Sequence, residues 1–437
     1  MPRRRVFLAA LTAILLVVTG CAGGARNSQP TSAGSSSNAT SSRPGAATAT
    51  APTGPAKVTV PIKFSALQPY GGTVYSGCGG RYGGMASDAG VFDLRSGRMV
   101  NPPQPPTDPG TKLESASCAV TGTPDHLKIA EVVTTTRPAQ GLQPQQEKTM
   151  AYVYDLGSNK ATVQADISSF MPVGNLAGTG TGLILFNDQS TTVLSNTDLS
   201  TMWTAPRPVA VATDETVVLG STLAAKGIEI RTPNGEMMLA DPEAGSGFAR
   251  LVADGNDQLI EFFRYTPGRT KSGLMWAVYD VGARAYLDGD VFPSDLSQTT
   301  STLSDGKLFV HEDTAGSTVG MELWNIKTGQ LEFKKTVEEY NAANTAGAYY
   351  FNGHLYLVNA VSGREANLSV TTLPDQREIA TTWTARPALR LKGWTVVLVA
   401  EAGPNGNQCR ETQGTGNDYC KVELIPDQNG SYRGPWF

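Results

Sequence analysis

Met321-Glu322-Leu323-Trp324-Asn325-Ile326-Lys327-Thr328-Gly329-Gln330-Leu331-Glu332-Phe333 carries the pattern that repeats along most of the chain. A short alternating segment runs into Lys327-Thr328-Gly329, and a second short segment follows. Just upstream, Asp305-Gly306 precedes the apolar Leu308-Phe309-Val310. Short segments of period two, separated by Gly, Asp and Asn, read as strands joined by tight turns.

The same two turns recur outward in both directions. The first kind, a polar or glycine turn before a short apolar strand, stands at Gly71-Gly72, Pro124-Asp125, Thr181-Gly182, Asp214-Glu215, Asn256-Asp257, Asp305-Gly306, Asn352-Gly353 and Lys392-Gly393. The second kind closes an alternating strand at Asp93 to Gly97, Asp155-Leu156-Gly157, Thr197-Asp198, Pro233-Asn234-Gly235, Asp280-Val281-Gly282, Lys327-Thr328-Gly329, Pro374-Asp375 and from Pro426-Asp427 to Gly430. Each kind occurs eight times and the two interleave. No amphipathic helical stretch lies between them. A unit of about 45 residues with four strands is the blade of a propeller. The expected fold is therefore all-β, a propeller of eight blades (seven is the alternative) of four antiparallel strands over residues 57–437. The last stretch, Tyr432–Phe437, is expected to close the ring on the early strand Val58–Ile62, unless each pairs locally.

Met321–Phe333 resembles one blade of the quinoprotein-dehydrogenase-like (PQQ-like) propeller repeats, and Gly90 to Met99 resembles another. That resemblance implies seven or eight blades. A further internal match supports eight: Met202-Trp203-Thr204-Ala205-Pro206-Arg207-Pro208 echoes Thr382-Trp383-Thr384-Ala385-Arg386-Pro387, 180 residues later, or four units. The alternative is two chance copies of a blade-linking turn. The quinoprotein enzymes hold their cofactor with a vicinal cysteine disulfide, calcium-binding carboxylates and an aromatic lid. This chain has no adjacent cysteines and lacks the full tryptophan docking motif, so no cofactor and no cofactor residues are carried over.

The N-terminus reads as an export and anchoring signal. Arg3, Arg4 and Arg5 precede an apolar run from Val6 to Val18, too short and wrongly flanked for a membrane span. Val18-Thr19-Gly20-Cys21 resembles the bacterial lipobox, which implies a signal peptide over 1–20, cleavage before Cys21 and lipidation of its thiol. A diacylglyceryl cysteine supplies the more than one acyl chain that stable anchoring needs. Residues 22–56 hold no aromatic and no acidic residue, and only Arg26 and Arg43 as charges. Such a segment cannot bury enough apolar surface to offset its ordering entropy, so 21–56 is expected to be a disordered, lipidated tether with an r.m.s. span of roughly 30–35 Å. Its composition resembles the tethers of lipoproteins from high-GC Gram-positive bacteria. The expected location is the extracytoplasmic face of the cell membrane.

The net charge of the whole chain is −4. Without the five arginines at 3–5, 26 and 43 the balance is 30 basic to 39 acidic. An acidic body lacks the basic footprint of a nucleic-acid binder. Cys78, Cys118, Cys409 and Cys420 remain after Cys21, and an even number in an exported chain predicts two disulfides. Of the three pairings, Cys78–Cys118 with Cys409–Cys420 is expected because each joins nearest neighbours. No Cys-x-x-Cys spacing favours zinc, and no metal is assigned.

The remaining polar signals are weak. The Gly178–Gly182 run lacks the Lys-Ser/Thr of a phosphate loop and sits at a strand turn. His126 and His354 share one repeat position and read as structural. His311-Glu312-Asp313 is a candidate base or metal cluster. Asp254, Asn256, Asp257, Asp288 and Asp290 could offer oxygens to calcium, although turns favour these residues anyway. Arg264, Arg269 and Lys271 read as a solvated hairpin. No catalytic signature emerges. The expected function is a membrane-anchored, non-catalytic binding or scaffolding lipoprotein that engages an envelope protein or cell-wall component through its loops. Trp203, Arg207, Trp383 and Arg386 are its candidate contacts, since Trp and Arg are the usual interface anchors. The alternative is a propeller enzyme, either a degenerate quinoprotein-type oxidoreductase or a glycan-acting one, which should show carboxylates of shifted pKa converging on the channel mouth.

Overall fold

The computed structural model describes residues 58–60, 67–70, 73–76, 81–82, 90–94, 96–170, 175–220, 226–254, 257–265, 274–287, 299–312, 320–336, 339, 345–361, 364–381, 383–391, 393–403, 406–408, 420–427 and 434. The ring belongs to one compact unit, Gly54–Phe437. Within it the strands form eight antiparallel sheets.

Sheet 1 comprises Leu67–Tyr70, Thr73–Ser76, Gly90–Asp93 and Arg98–Val100. Sheet 2 comprises Lys112–Thr123, His126–Arg137, Gln146–Asp155 and Ala161–Asp166. Sheets 3 to 7 repeat the plan, from Asn175–Gly178 to Thr201–Ala205, Val209–Ala212 to Met237–Asp241, Ala244–Asp254 to Ala285–Tyr286, Thr299–Ser304 to Leu331–Lys335, and Thr345–Phe351 to Glu378–Ala380. In each, the four strands lie side by side in chain order. Sheet 8 departs from this. It takes Ala385–Leu391, Trp394–Gly403 and Cys420–Pro426 from the end of the chain and its outermost strand, Val58–Val60, from the beginning. Val58 pairs with Leu424 and Val60 with Val422.

The closing strand is thus Cys420–Pro426, not Tyr432–Phe437, most of which lies outside the described residues. Two short strands were not anticipated. Arg81–Tyr82, from the connection within sheet 1, adds to the first strand of sheet 2, and Gly406–Gln408 adds to Trp394–Gly403.

A four-stranded sheet with two apolar faces needs a neighbour on each side. Every junction supplies one. Tyr70 and Val91 of sheet 1 pack with Val120, Leu127 and Ile129 of sheet 2. Val132 and Val153 meet Leu183, Leu185 and Leu194 of sheet 3. Ile184 and Val193 meet Val217 and Leu219 of sheet 4, and Val218 and Ile230 meet Ile260 and Phe262 of sheet 5. Leu259 and Val278 meet Leu308 and Val310 of sheet 6, and Phe309 and Leu323 meet Tyr350 and Leu355 of sheet 7. Trp383, in the crossover to sheet 8, packs on Tyr356 and Val370. The circle closes where Leu398, Val422 and Leu424 of sheet 8 meet Phe92 and Leu94 of sheet 1. Each buried Leu, Ile, Val or Phe contributes about 1.5–3 kcal/mol, so the junctions hold the sheets as one body.

All eight turns of the first kind fall between the first and second strands of a sheet. Seven of the second kind fall between the third and fourth. After the eighth, at Pro426-Asp427, no strand follows among the described residues, and the fourth place in the sheet is filled by Val58–Val60. In up-and-down sheets these two connections share one end of the strands. The second-to-third connections and the crossovers share the other. The ring therefore has a short-turn face and a long-connection face. Val58 lies at the Leu424 end of its partner strand, beside the Trp394–Pro426 pair, and so the chain enters on the short-turn face. On the other face the first strand of sheet 5, bulged between Gly245 and Arg250, reaches the first strand of sheet 8 across the centre.

Candidate functional site

The short-turn face is tied together from sheet to sheet. Tyr70 donates its hydroxyl to the Gly122 carbonyl at 3.0 Å. Gly122 N–H reaches Thr179 O at 3.0 Å, and Gly180 N–H reaches Asp214 O at 2.8 Å. The Gln258 amide accepts from the Thr213 hydroxyl at 2.9 Å and donates to Asp214 at 3.1 Å. Asn352 N–H donates to Ser304 Oγ at 3.1 Å. The Gly178–Gly182 run belongs to this collar. A Cβ on Gly178 would lie 1.8 Å from Val120 O, and one on Gly180 would lie 2.7 Å from Asp214 O. These glycines allow backbone to touch backbone between blades.

The four candidate contact residues have internal partners. Trp203, on the outermost strand of sheet 3, donates its indole N–H to Pro233 O at 2.8 Å and lies under the Arg231 guanidinium at 5.6 Å. Gly235 fits against its ring. Arg207 pairs with Glu229 at 3.1 Å and donates to the carbonyls of Gly220, Lys226 and Gly227, clamping both ends of the connection between the second and third strands of sheet 4. Trp383 is 2% exposed, donates to Leu357 O at 3.1 Å and meets Tyr356 edge-to-face. Arg386, 4% exposed, stacks on Tyr349 of sheet 7 at 3.7 Å. The two sequence copies therefore stand four sheets apart, at the 3–4 and 7–8 junctions. Their roles differ: Ala205 ends an outermost strand whereas Ala385 begins an innermost one, so Trp203 reaches forward into sheet 4 and Trp383 reaches back into sheet 7.

Two of the histidines serve locally. His354 Nδ1 lies 2.9 Å from Asn352 O within its turn. His311 is buried and stacks on Phe309 at 5.7 Å; the side chains of Glu312 and Asp313 fall outside the described residues. His126 lines a cleft of about 570 Å³ at the junction of sheets 1 and 2 on the short-turn face. Asp93, Asp125, Asp155 and Arg98 share that cleft over a floor that includes Met99 and Leu127. This composition suits a small polar or cationic solute.

Arg264 is not a solvated hairpin residue: it stands on the strand Asp257–Tyr265, pairs with the buried Asp241 at 3.0 Å and lies over Tyr286. Burial, then the hydrogen bond it donates to Asp241, pushes the Tyr286 phenol well above its ordinary range. Tyr154 is raised in the same way by burial and Glu131. Asp166, Asp198 and Asp375 are held below the usual carboxylate range, chiefly by the hydroxyls of Ser168, Ser200 and Thr372. All three cap turns. The calcium candidates Asn256, Asp288 and Asp290 fall outside the described residues, as do Arg269 and Lys271 and the side chains of Asp254 and Asp257. Among the described residues no group of three or more His, Cys, Asp or Glu could hold a metal. Cys118 is disulfide-bonded; Cys21, Cys78 and Cys409 lie outside the described residues, as does the side chain of Cys420.

Sheet order and the eight shared cores define the class: an all-β, eight-bladed propeller closed by pairing of its first and last strands. No family model matches the chain, and no curated protein matches it significantly. It is similar to solved propellers at low identity. BamB from Moraxella catarrhalis is 13% identical over 85% of this chain and 98% of that one, with a TM-score of 0.36. Sqt1 from Saccharomyces cerevisiae is 11% identical over 85% and 98%, with a TM-score of 0.37. The propeller domain of the Trilobed protease from Pyrococcus furiosus is 10% identical over 73% and 94%, with a TM-score of 0.31. The fold assignment rests on this chain's own topology.

Proposed function

We propose that the protein is an acyl-anchored platform on the outer face of the cell membrane, whose ring engages an envelope protein or a cell-wall component through its connections and performs no chemistry itself. The carrying observation is the polarity of the ring. Val58, the first described residue, lies on the face of short, mutually hydrogen-bonded turns, and a tether over 21–56 would lead into that residue. The longer connections stand on the opposite face, away from the attachment point. Composition supports the same reading: Cys21 in a lipobox-like context, a 22–56 segment without aromatic or acidic residues, and an acidic body. Of the displaced carboxylates, Asp166, Asp198 and Asp375 serve turns and Glu332 is bonded to Lys307 and Asn325 of its own sheet. Arg207, Trp203, Arg386 and Trp383 stiffen the junctions so that the connections are presented on a fixed frame.

Fractionation and cross-linking in intact cells test this. Cys21→Ala should move the chain from the membrane to the soluble fraction. Amine-reactive cross-linking of the anchored chain should recover one stoichiometric protein or cell-wall fragment. Membrane retention of Cys21→Ala, or turnover of glycan by the purified ring, would overturn the reading.

A further inference from the structure

Sheet 2 is taller than its neighbours. Its second and third strands pair without interruption from Lys128↔Asp155 to Arg137↔Gln146, ten pairs. The same strands pair over four positions in sheet 1 and five in sheet 3. Five or six further residues at about 3.3 Å each carry this hairpin roughly 16–20 Å past them on the long-connection face. Its end is fixed. Gln140 N–H donates to Gln143 O at 3.2 Å and Gln143 N–H donates to Gln140 O at 3.0 Å, around Gly141 at φ 59°. At this tip stands Leu142, 104% exposed, against 43% and 41% for Met237 and Leu331, the other exposed large hydrophobics among the described residues. From Pro138 to Gln146 there is no charge, and four of the nine residues are glutamines.

We infer that this hairpin is the platform's docking prong, with Leu142 the plug that enters an apolar socket on a partner protein and the glutamine amides hydrogen-bonding its rim. The inference rests on the platform reading and deepens it. A stiff ribbon places the leucine without an ordering cost at binding. An amide rim pairs with backbone and side-chain amides of a protein. The anchoring bilayer is not its target, because the prong points from the face opposite Val58, where the chain enters the ring, and a carbohydrate partner would call for an aromatic platform at the tip.

A photo-cross-linking amino acid in the full anchored chain, in intact cells, tests this. Placed at Gln143, it should give one discrete protein adduct. Adding Leu142→Asp should lower its yield at least tenfold, and Leu142→Met should preserve it. The unfolding midpoint of Leu142→Asp should be unchanged, because the side chain touches nothing. Probes at Met237 and Leu331, at the short-turn ends of their strands, should not give that adduct. A lipid adduct, an adduct indifferent to Leu142→Asp, or the same adduct from Met237 would overturn the prong. Adducts from Gln189, in the connection of sheet 3, with none from Gln143, would overturn the prong and leave the platform standing. Silence from both would overturn the two together.

Discussion

Trp383→Ala separates a stiffening role from a contact role. Trp383 is 2% exposed, with its N–H on Leu357 O and its ring against Tyr356. Removing a buried indole costs about 3–5 kcal/mol, and the Leu357 carbonyl loses its donor. Trp203 is half-buried, with one hydrogen bond and a guanidinium, that of Arg231, over its ring worth about 0.5–1 kcal/mol. Trp203→Ala should therefore cost about 2 kcal/mol, roughly half as much. Trp383→Phe keeps the contact with Tyr356 and loses the hydrogen bond, for about 1–2 kcal/mol. Urea unfolding followed by far-ultraviolet circular dichroism, on full chain carrying Cys21→Ser, measures all three. The expected order of midpoints is Trp383→Ala lowest, then Trp203→Ala, then Trp383→Phe at or above it. A Trp383→Ala midpoint equal to the parent's would rule out a stiffening role for this indole.

Further outcomes follow from other contacts. Glu229→Gln strips the shared carboxylate from Arg207 and Arg231 and should cost about 1.5–3 kcal/mol in the same unfolding assay. Gly178→Ala drives a Cβ into the Val120 carbonyl and should leave the protein insoluble or strongly destabilised, whereas Gly306→Ala, with φ 65° and open space around it, should cost only about 1 kcal/mol in the urea midpoint. Alkaline stability should fall above pH 10. The folded pKa values of Tyr154 and Tyr286 lie above their ordinary value near 10, so their contribution is complete below pH 10 and is lost as the pH rises toward the folded values. Tyr286→Phe should flatten that limb, as read by tyrosinate absorbance against circular dichroism.

Much of the ring was legible because turns impose backbone demands that few residues meet. Asp305-Gly306 and Asn352-Gly353 adopt positive φ at both positions, and the sequence shows these pairs plainly. The repeat of such turns pointed to units of four strands and to eight blades, with seven left open; the structure has eight sheets and two short strands that no turn announced. The closing pair was less legible: Val58–Val60 has only three residues and no turn links it to Cys420–Pro426, so nothing local records the pairing. The roles of Trp203 and Trp383 were hidden for a related reason. Both read as interface anchors, and burial between blades is itself an interface, invisible until the junctions are assembled. The prong on sheet 2 was missed because Pro138 to Gln145 looks like an ordinary polar connection. Its signal was the length of the uninterrupted strands flanking it, Lys128 to Arg137 and Gln146 to Asp155.

Pairing of the first strand with the last is the structural claim from which closure, polarity and the chain's point of entry all derive. Thr59 and Glu423 are Cα partners in that pair, within the span a disulfide bridges. Thr59→Cys combined with Glu423→Cys, oxidised and mapped by mass spectrometry, should yield a reducible peptide joining positions 59 and 423. Recovery of the two cysteines only as separate peptides, with the rest of the ring folded, would contradict the account.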